Sequence, residues 1–403
     1  MTTPTRTLRL PLTVFLLAGW SFGLNLACGG GKNERPPVDQ VYVAGYASTG
    51  IQLENSIPNQ AMLWVDGKAT QLSPGSASFA NALAVLGTDT YVVGKDTEAD
   101  GRTRTVVWTN GTAAPLTAGP AGVAYPTSIA VSNRTVLVGG DVTQDGVNIP
   151  GCIWINGALQ TLAGRRVEGV ALQDERVVAA GWASEIVEVA PNYMWIRPSP
   201  MAWRDGAASR LTTGVTGGEA LGVQVSGANV FVAGMEWRWN PQASKTSPSL
   251  PSIREIGSVE NAEMKASALR LQSAAYDGSM SPSVAAYWKN GNAVYLSDGS
   301  RWAQGAAICV SGNDVYVAGL RQINDSYDAA VYWKNGVMVR LTQGNSEART
   351  TGIVVLGSDI YVSGYEVVQG VCVATYWKNG TPIRLTDGKL DSFARGIVVQ
   401  RIP

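Results

Sequence analysis

The chain has 403 residues and no formal net charge, since 31 Lys and Arg balance 31 Asp and Glu. No basic cluster stands out, which argues against nucleic-acid binding because that function needs a basic surface. There is no histidine, which excludes Ser-His-Asp and Cys-His catalytic arrangements and removes the commonest transition-metal ligand.

The N-terminus has the pattern of an export signal. Arg6 and Arg9 precede an apolar run, so residues 1–27 are predicted to be a secretory signal peptide. The run ends in Leu24-Asn25-Leu26-Ala27-Cys28-Gly29, which resembles the lipobox of bacterial lipoproteins. The resemblance implies a diacylglyceryl group and palmitate on Cys28, and a membrane-anchored protein of the bacterial cell envelope. The alternative is an unmodified exported protein.

Residues 28–39 are rich in glycine, proline and charged side chains and show no apolar periodicity. They are predicted to form a flexible tether between the lipid and a domain that spans residues 40–403.

One hairpin turn recurs through the rest of the chain. Two positions after a tryptophan, Asn or Asp is followed by Gly, as a type I′ turn requires because both of its central residues have positive φ. The seven copies are Asp66-Gly67, Asn110-Gly111, Asn156-Gly157, Asp205-Gly206, Asn290-Gly291, Asn335-Gly336 and Asn379-Gly380.

Each turn belongs to a repeat of four predicted strands, a to d, with the turn between c and d. In the last full repeat these are residues 351–355, 359–364, 373–377 and 381–385. Strand b ends in glycine, and strand a carries a small residue where innermost strands would converge on an axis. A period of about 44 to 49 residues with four strands is typical of propeller blades.

The two ends of the chain complete one repeat. Strand b at residues 41–45 has no strand a before it, and strand a at residues 395–399 has no strand b after it. We therefore predict an all-β, seven-bladed β-propeller with four antiparallel strands per blade, closed by pairing of the N- and C-terminal strands. An open solenoid is the alternative. The seven turn-associated tryptophans, from Trp64 to Trp377, are expected to pack between blades.

The repeat, an aromatic-Trp-x-Asn-Gly hairpin, then Leu-Thr-x-Gly and a Gly-Ile strand, resembles the extracellular HAF repeats of bacterial secreted proteins. The resemblance covers residues 40–403. It implies an exported propeller and brings no catalytic residues with it.

A calcium site is weakly indicated in the second repeat. Asp96, Glu98 and Asp100 alternate before a glycine, as in the first half of a calcium loop, although the closing glutamate is missing. A solvated turn is the alternative, and no other cofactor is predicted. Cys152, Cys309 and Cys372 lack metal-ligand spacing and are expected to fill the core, with a single disulfide as the alternative.

The connections from b to c and from d to a vary in length and emerge on one face of a propeller, which we call the loop face. Two insertions enlarge it, at residues 182–198 and 235–282. The second contains a predicted helix that begins after Ser258. We predict ligand binding by aromatic and arginine side chains of the insertions, namely Trp182, Tyr193, Trp195, Arg197, Trp237, Arg238 and Trp239. Alternatively, these side chains pack the loops onto the blades.

The predicted function is a membrane-tethered binding or scaffold module for a protein or a glycan. The alternative is a propeller hydrolase or lyase that acts on cell-surface polysaccharide, and a purely structural envelope component is a third hypothesis. Catalysis is the less favoured hypothesis, and no catalytic residue is assigned, because the candidates Glu168, Glu219 and Arg395 lie in different repeats.

Overall fold

The computed structural model describes residues 38–50, 59–74, 77–97, 103–118, 122–144, 147–190, 193–212, 216–238 and 282–402. Residues Asp39–Ile402 form one compact unit. The signal peptide, Cys28, most of the tether, the predicted helix after Ser258, Trp239, Glu98 and Asp100 lie outside the described residues. Within those ranges, no helix has the length and apolar character needed to span a bilayer.

The described chain forms seven four-stranded antiparallel sheets. Blade 1 consists of β1 (Val38–Ser48), β2 (Asn59–Val65), β3 (Lys68–Gln71) and the last strand, β28 (Ser392–Ile402). Blade 2 is β4 (Phe79–Leu86), β5 (Asp89–Thr97), β6 (Thr103–Thr109) and β7 (Thr112–Pro115). Blade 3 is β8 (Gly122–Val131), β9 (Val136–Gln144), β10 (Val147–Ile155) and β11 (Ala158–Thr161). Blade 4 is β12 (Arg166–Gln173), β13 (Arg176–Ala190), β14 (Tyr193–Arg204) and β15 (Ala207–Arg210).

Blade 5 is β16 (Thr216–Ser226), β17 (Asn229–Arg238), β18 (Val284–Lys289) and β19 (Asn292–Tyr295). Blade 6 is β20 (Ala303–Ser311), β21 (Asp314–Gln322), β22 (Asp328–Lys334) and β23 (Val337–Arg340). Blade 7 is β24 (Ala348–Leu356), β25 (Asp359–Val368), β26 (Val371–Lys378) and β27 (Thr381–Arg384). This architecture confirms the predicted seven-bladed propeller.

The Asn-Gly and Asp-Gly turns have the predicted geometry, with both central residues at positive φ in every blade; Asn379 and Gly380 lie at 51° and 83°. The Asn or Asp side chain of the turn also forms a hydrogen bond. In each turn the Oδ1 of this side chain accepts a hydrogen bond from a backbone amide near the start of strand b, as that of Asn379 does from Ile360 at 2.8 Å. Asn and Asp are therefore suited to this position both by conformation and by the polar group they supply to the neighbouring strand.

A β-bulge in strand a accounts for the glycine that ends strand b. In blade 7 the pairing passes from Thr350–Gly364 to Gly352–Ser363, so Thr351 is an extra residue. The bulge brings the Arg349 carbonyl against Gly364, where a Cβ would lie 2.9 Å from the Arg349 carbonyl carbon and closer still to its oxygen. The same register shift occurs in blades 2 to 6. Strand b requires glycine there because any side chain would overlap backbone atoms.

The small residues of strand a meet one another around the axis, as predicted. A Cβ on Gly169 would lie 3.3 Å from the Gly222 Cα, and one on Gly222 would lie 3.1 Å from the Ala307 Cα. Bulged residues also bond across blades: Thr127 Oγ1 donates to the Val167 carbonyl at 2.7 Å, and Thr351 Oγ1 to the Ala394 carbonyl at 2.9 Å. The innermost strands are thus linked around the ring by both packing and hydrogen bonds.

Seven apolar clusters, each shared by two neighbouring blades, form the core. Trp64 of blade 1 packs with Tyr361 and Tyr376 of blade 7, and Trp377 of blade 7 packs with Tyr316 of blade 6. Each turn-associated tryptophan is no more than 1% exposed and lies against the preceding blade, which confirms their predicted role between blades. The set is Trp64, Trp108, Trp154, Trp203, Trp288, Trp333 and Trp377.

Ring closure depends on β28, which pairs with β1. The Ser48 amide donates to the Asp391 carbonyl at 2.7 Å. At the other end of the strands, Arg401 pairs with Asp39 at 2.9 Å, and its hydrogen bond lowers the pKa of the Asp39 carboxyl. β1 begins at Val38, two positions before the predicted boundary at residue 40.

The two predicted insertions differ from simple loops. Residues 182–198 extend a hairpin, since β13 and β14 remain paired from Val178–Arg204 to Ala190–Tyr193. β17 likewise continues to Arg238, paired with Thr216 of strand a. Both insertions therefore begin as strand pairing that continues beyond the repeat.

Candidate functional site

Two rows of side chains surround the axis on the loop face, and together we call them the inner rim. One row precedes the bulge of strand a, and the other follows the glycine of strand b; the two rows pair directly, as Phe79 does with Lys95. The first row is Phe79, Tyr125, Arg166, Glu219, Gln304, Arg349 and Phe393. The second row is Tyr46, Lys95, Asp141, Trp182, Met235, Leu320 and Tyr365.

Aromatic rings occupy one sector of the inner rim and contact each other in series. Tyr365 of blade 7 meets Phe393 edge to face with ring centroids 4.9 Å apart. Phe393 lies 5.0 Å from Tyr46 in blade 1, and Tyr46 lies 4.9 Å from Phe79 in blade 2. All four rings are only partly buried. This aromatic arc is a continuous, partly exposed apolar surface across three blades.

Two cations lie on rings of this sector. The Arg395 guanidinium is 5.4 Å from the centroid of Tyr46 and donates to its hydroxyl at 3.0 Å. The Lys95 ammonium is 3.7 Å from the centroid of Tyr125. A ring face attracts a cation through its quadrupole, so the aromatic side chains hold both charges in place at the rim.

The opposite sector carries a charged cluster from blades 3 to 5. Arg166 lies 2.7 Å from Glu168 and 3.6 Å from Asp141. The Trp182 side chain also bonds Glu168. Glu219, in the neighbouring blade, is close enough for its titration to respond to both Glu168 and Arg166. The structure therefore brings together Glu168 and Glu219, which the sequence placed only in different repeats.

Burial dominates the titration of this cluster. Burial, together with the negative charge of Glu168, raises the pKa of Glu219 to about 7. Burial also raises the pKa of Glu168, which the Arg166 guanidinium opposes, and that of Asp141, which Arg166 and Lys95 oppose. One of these carboxyl groups, Glu219, is thus partly protonated near neutral pH.

The predicted binding residues divide by position. Trp182 belongs to the inner rim, with the Arg165 guanidinium 5.6 Å from its ring centroid. Arg197 is 1% exposed, paired with Glu185 at 3.2 Å and bonded to the Thr216 carbonyl at 2.8 Å. Trp237 is 4% exposed. Arg197 and Trp237 therefore occupy positions that fit the alternative role of packing the insertions onto the blades.

The other predicted binding residues lie partly or wholly outside the described structure. Tyr193 and Trp195 lie in β14, and Arg238 ends β17, but the side chains of all three lie outside what is described, as does Trp239 entirely.

The weak calcium candidate is engaged in other contacts. Asp96 is 6% exposed, accepts a hydrogen bond from Ser73 and lies 3.6 Å from Arg104. No group of three or more potential ligand side chains that could hold a metal occurs within the described ranges. Cys152 and Cys309 are buried free thiols within apolar clusters, as predicted. Cys372 is a free thiol but is only partly buried, so it is not the core residue that was predicted.

A shallow groove of about 550 Å³ lies on the same face between blades 5 and 6. Arg301 and Arg321 line it, but they pair with Asp325 and Asp298, each at 2.9 Å. The groove is thus separate from the inner rim and its charges are largely satisfied within the protein.

No protein-family model and no curated protein matches the sequence. Among solved structures, the β-propeller domain of the Trilobed protease from Pyrococcus furiosus is similar, with a TM-score of 0.51 and 10% identity over 86% of this chain and 93% of that one. A puromycin-hydrolyzing peptidase from Mycobacterium tuberculosis has a TM-score of 0.47 and 10% identity over 87% of this chain. The present chain spans about half of that peptidase, or 53% of its length.

The likeness to the first of these structures establishes a fold. It is a β-propeller. The Pyrococcus domain is described as having an open velcro topology, whereas the present chain closes its ring through the pairing of β28 with β1.

Proposed function

We propose that this protein is an exported, lipid-anchored propeller that binds a glycan at the inner rim of its loop face. The observation that carries the proposal is the aromatic arc of Tyr365, Phe393, Tyr46 and Phe79. Aromatic ring faces carry partial negative charge, and the C–H bonds on one face of a pyranose carry partial positive charge. A sugar ring can therefore stack on such a surface while its hydroxyl groups bond to polar neighbours.

The position of the arc supports recognition. The four rings come from three consecutive blades held by a rigid scaffold, so little conformational freedom is lost when a ligand binds. The lipid on Cys28 would place the propeller next to the envelope polysaccharides of the cell. That anchor is part of the proposal and follows from the lipobox resemblance.

Binding to immobilised polysaccharides and an oligosaccharide array tests this function. Wild type should be retained on at least one glycan, and a Tyr46→Ala, Phe393→Ala variant should lose retention. Tyr327→Ala is the matched control, because Tyr327 is 42% exposed outside the arc. Circular dichroism checks that each variant is folded, and Tyr365→Ala provides a milder change at the rim. The proposal fails if no glycan is retained, if only protein ligands bind, or if folded arc variants bind like wild type.

A second function, hydrolysis of a glycosidic bond, is supported by the neighbouring carboxyl groups of Glu168 and Glu219. Burial raises the pKa of both groups, and Arg166, 2.7 Å from Glu168, opposes this effect most directly at Glu168. An acid beside a carboxylate is the pair that glycoside hydrolysis uses: the acid protonates the leaving oxygen and the carboxylate assists attack by water.

The two functions are separable by experiment. If the protein hydrolyses a retained polysaccharide, new reducing ends will appear, and Glu219→Gln will abolish them while binding persists. Absence of new reducing ends with wild type would rule out hydrolysis and leave the binding function in place.

A further inference from the structure

We infer that the glycan bound at the aromatic arc is acidic and carries carboxylates, as a polyuronate does. This inference rests on the proposed function and adds the chemical class of its ligand. Its basis is the two cations of the sector, Arg395 and Lys95, each of which contacts an aromatic ring.

Neither cation is neutralised by contact with a carboxylate among the residues that the structure describes. Arg395 donates to the Tyr46 hydroxyl and lies over that ring, while Lys95 lies over Tyr125. Arg349, also on the rim, provides the contrast, since it pairs with Glu347 at 2.8 Å and Asp328 at 3.6 Å. Lys95 and the guanidinium donors of Arg395 that do not bond Tyr46 are thus not engaged by a carboxylate of the described residues and can bond a ligand.

Lys95 is also partly withdrawn from water. Burial lowers the pKa of its ammonium, and the more distant charge of Asp141 opposes this effect. A partly desolvated cation without a carboxylate in contact gains more from an anionic ligand than a fully solvated one does, because less hydration remains to be removed. Asp141 itself is held by Arg166 at 3.6 Å.

The two cations flank the aromatic surface. Arg395 lies on Tyr46 in blade 1, and Lys95 pairs in register with Phe79 in blade 2. The rings of Tyr46 and Phe79 are themselves in contact, with centroids 4.9 Å apart. The planes of these two rings lie 75° apart. A pyranose packed in the angle between them would lie near both cations, and a guanidinium matches the planar, two-oxygen geometry of a carboxylate.

The rest of the rim favours this placement over the opposite sector. Glu168, Asp141 and Glu219 concentrate three acidic groups around Arg166, with Arg165 as a further cation close enough to act on Asp141. An acidic polymer would be repelled there and attracted towards blades 1 and 2, so the charge distribution fixes which half of the rim it contacts.

Affinity electrophoresis with polygalacturonate, with the same polymer after reduction of its carboxyl groups, and with dextran sulfate tests the inference. Binding to polygalacturonate should weaken roughly tenfold for Arg395→Gln and for Lys95→Gln, the loss expected for one charge-assisted hydrogen bond. Arg301→Gln should bind like wild type, because Arg301 lies on the same face in the separate groove. Added salt should weaken binding.

The outcomes separate the two proposals. Equal binding of the native and carboxyl-reduced polymers would overturn the acidic specificity and leave glycan binding intact. Binding to dextran sulfate without binding to polygalacturonate would also overturn it, because the recognised group would then be a sulfate. If none of these polymers and no other glycan is retained, the proposed function itself fails.

Discussion

Replacing Gly364 by alanine should destabilise the propeller although it adds a single methyl group. Gly364 faces the bulge of β24, where a Cβ would lie 2.9 Å from the Thr350 Cα and from the Arg349 carbonyl carbon. Relief requires movement of backbone in two strands, so the free energy of unfolding should fall by about 3 kcal/mol, the upper end of the usual cost of overpacking. For a unit of about 360 residues, an unfolding entropy of about 2.1 cal/mol/K per residue converts this loss into a melting shift of roughly 4 °C.

The matched control is Gly380→Ala. Gly380 has φ of +83° but no atom within 4 Å of the added Cβ, so alanine there experiences backbone strain of about 1 kcal/mol without a clash. Its melting temperature should fall by roughly 1 °C. Differential scanning calorimetry and guanidinium titration of both variants measure the difference. If Gly364→Ala is no less stable than Gly380→Ala, the bulge is not the reason that glycine ends strand b.

Three further predictions concern pH, ring closure and anchoring. The pKa of Glu219 rises from 4.5 to about 7 on folding, so between these values the native state retains a proton that the unfolded chain has released. The free energy of unfolding should therefore fall as pH rises from about 5 to 8. Glu219→Gln should reduce that fall in thermal melts, and an unchanged fall would contradict the prediction. Deletion of residues 395–403 should unfold the ring. Replacement of residues 239–281 by a short Gly-Ser loop should leave the circular dichroism spectrum and melting temperature nearly unchanged, because each doubling of loop length costs only about 0.6 kcal/mol. The reverse order of stabilities would refute the closure mechanism. Cys28→Ala should be exported but leave the membrane fraction, given that acyl chains contribute about 0.8 kcal/mol per buried methylene; equal membrane association of variant and wild type would disprove lipid anchoring.

The blade architecture could be predicted because its signals are local. Asn379-Gly380 determines a hairpin through its own backbone preferences, and the same pair recurs at a fixed place in every blade. The bulge could not be predicted, since the extra residue Thr351 is defined only by how β24 pairs with β25. The recurring glycine of strand b could be recognised in the sequence. The reason that glycine is required there could not, because it is the close approach of a carbonyl group from strand a.

The inner rim as a whole could not be predicted for a related reason, although Trp182 and Glu219 were individual candidates. Its members, such as Tyr46, Phe79 and Phe393, are far apart in sequence and are brought together only by the closed ring. A signal was present: the residue after the constant glycine of strand b varies from Tyr46 to Lys95 to Asp141. When side chains of different chemistry follow a glycine that is the same in every blade, the pattern indicates a functional surface on a constant backbone framework. The sequence prediction placed most binding residues in the two insertions instead, although Arg197 within them is buried.

Because blade 1 pairs β1 with β28, closure of the ring depends on the order in which the strands are synthesised. β1 leaves the ribosome well before its partner β28, and side chains of the two strands meet although they are 362 positions apart in sequence, as Asp39 and Arg401 are. Contacts of such sequence separation form slowly because a very large loop must close first. Until that moment β1 presents an unpaired apolar edge to its surroundings. The interval between synthesis of β1 and synthesis of β28 is therefore when this chain is most exposed to aggregation and to chaperone binding.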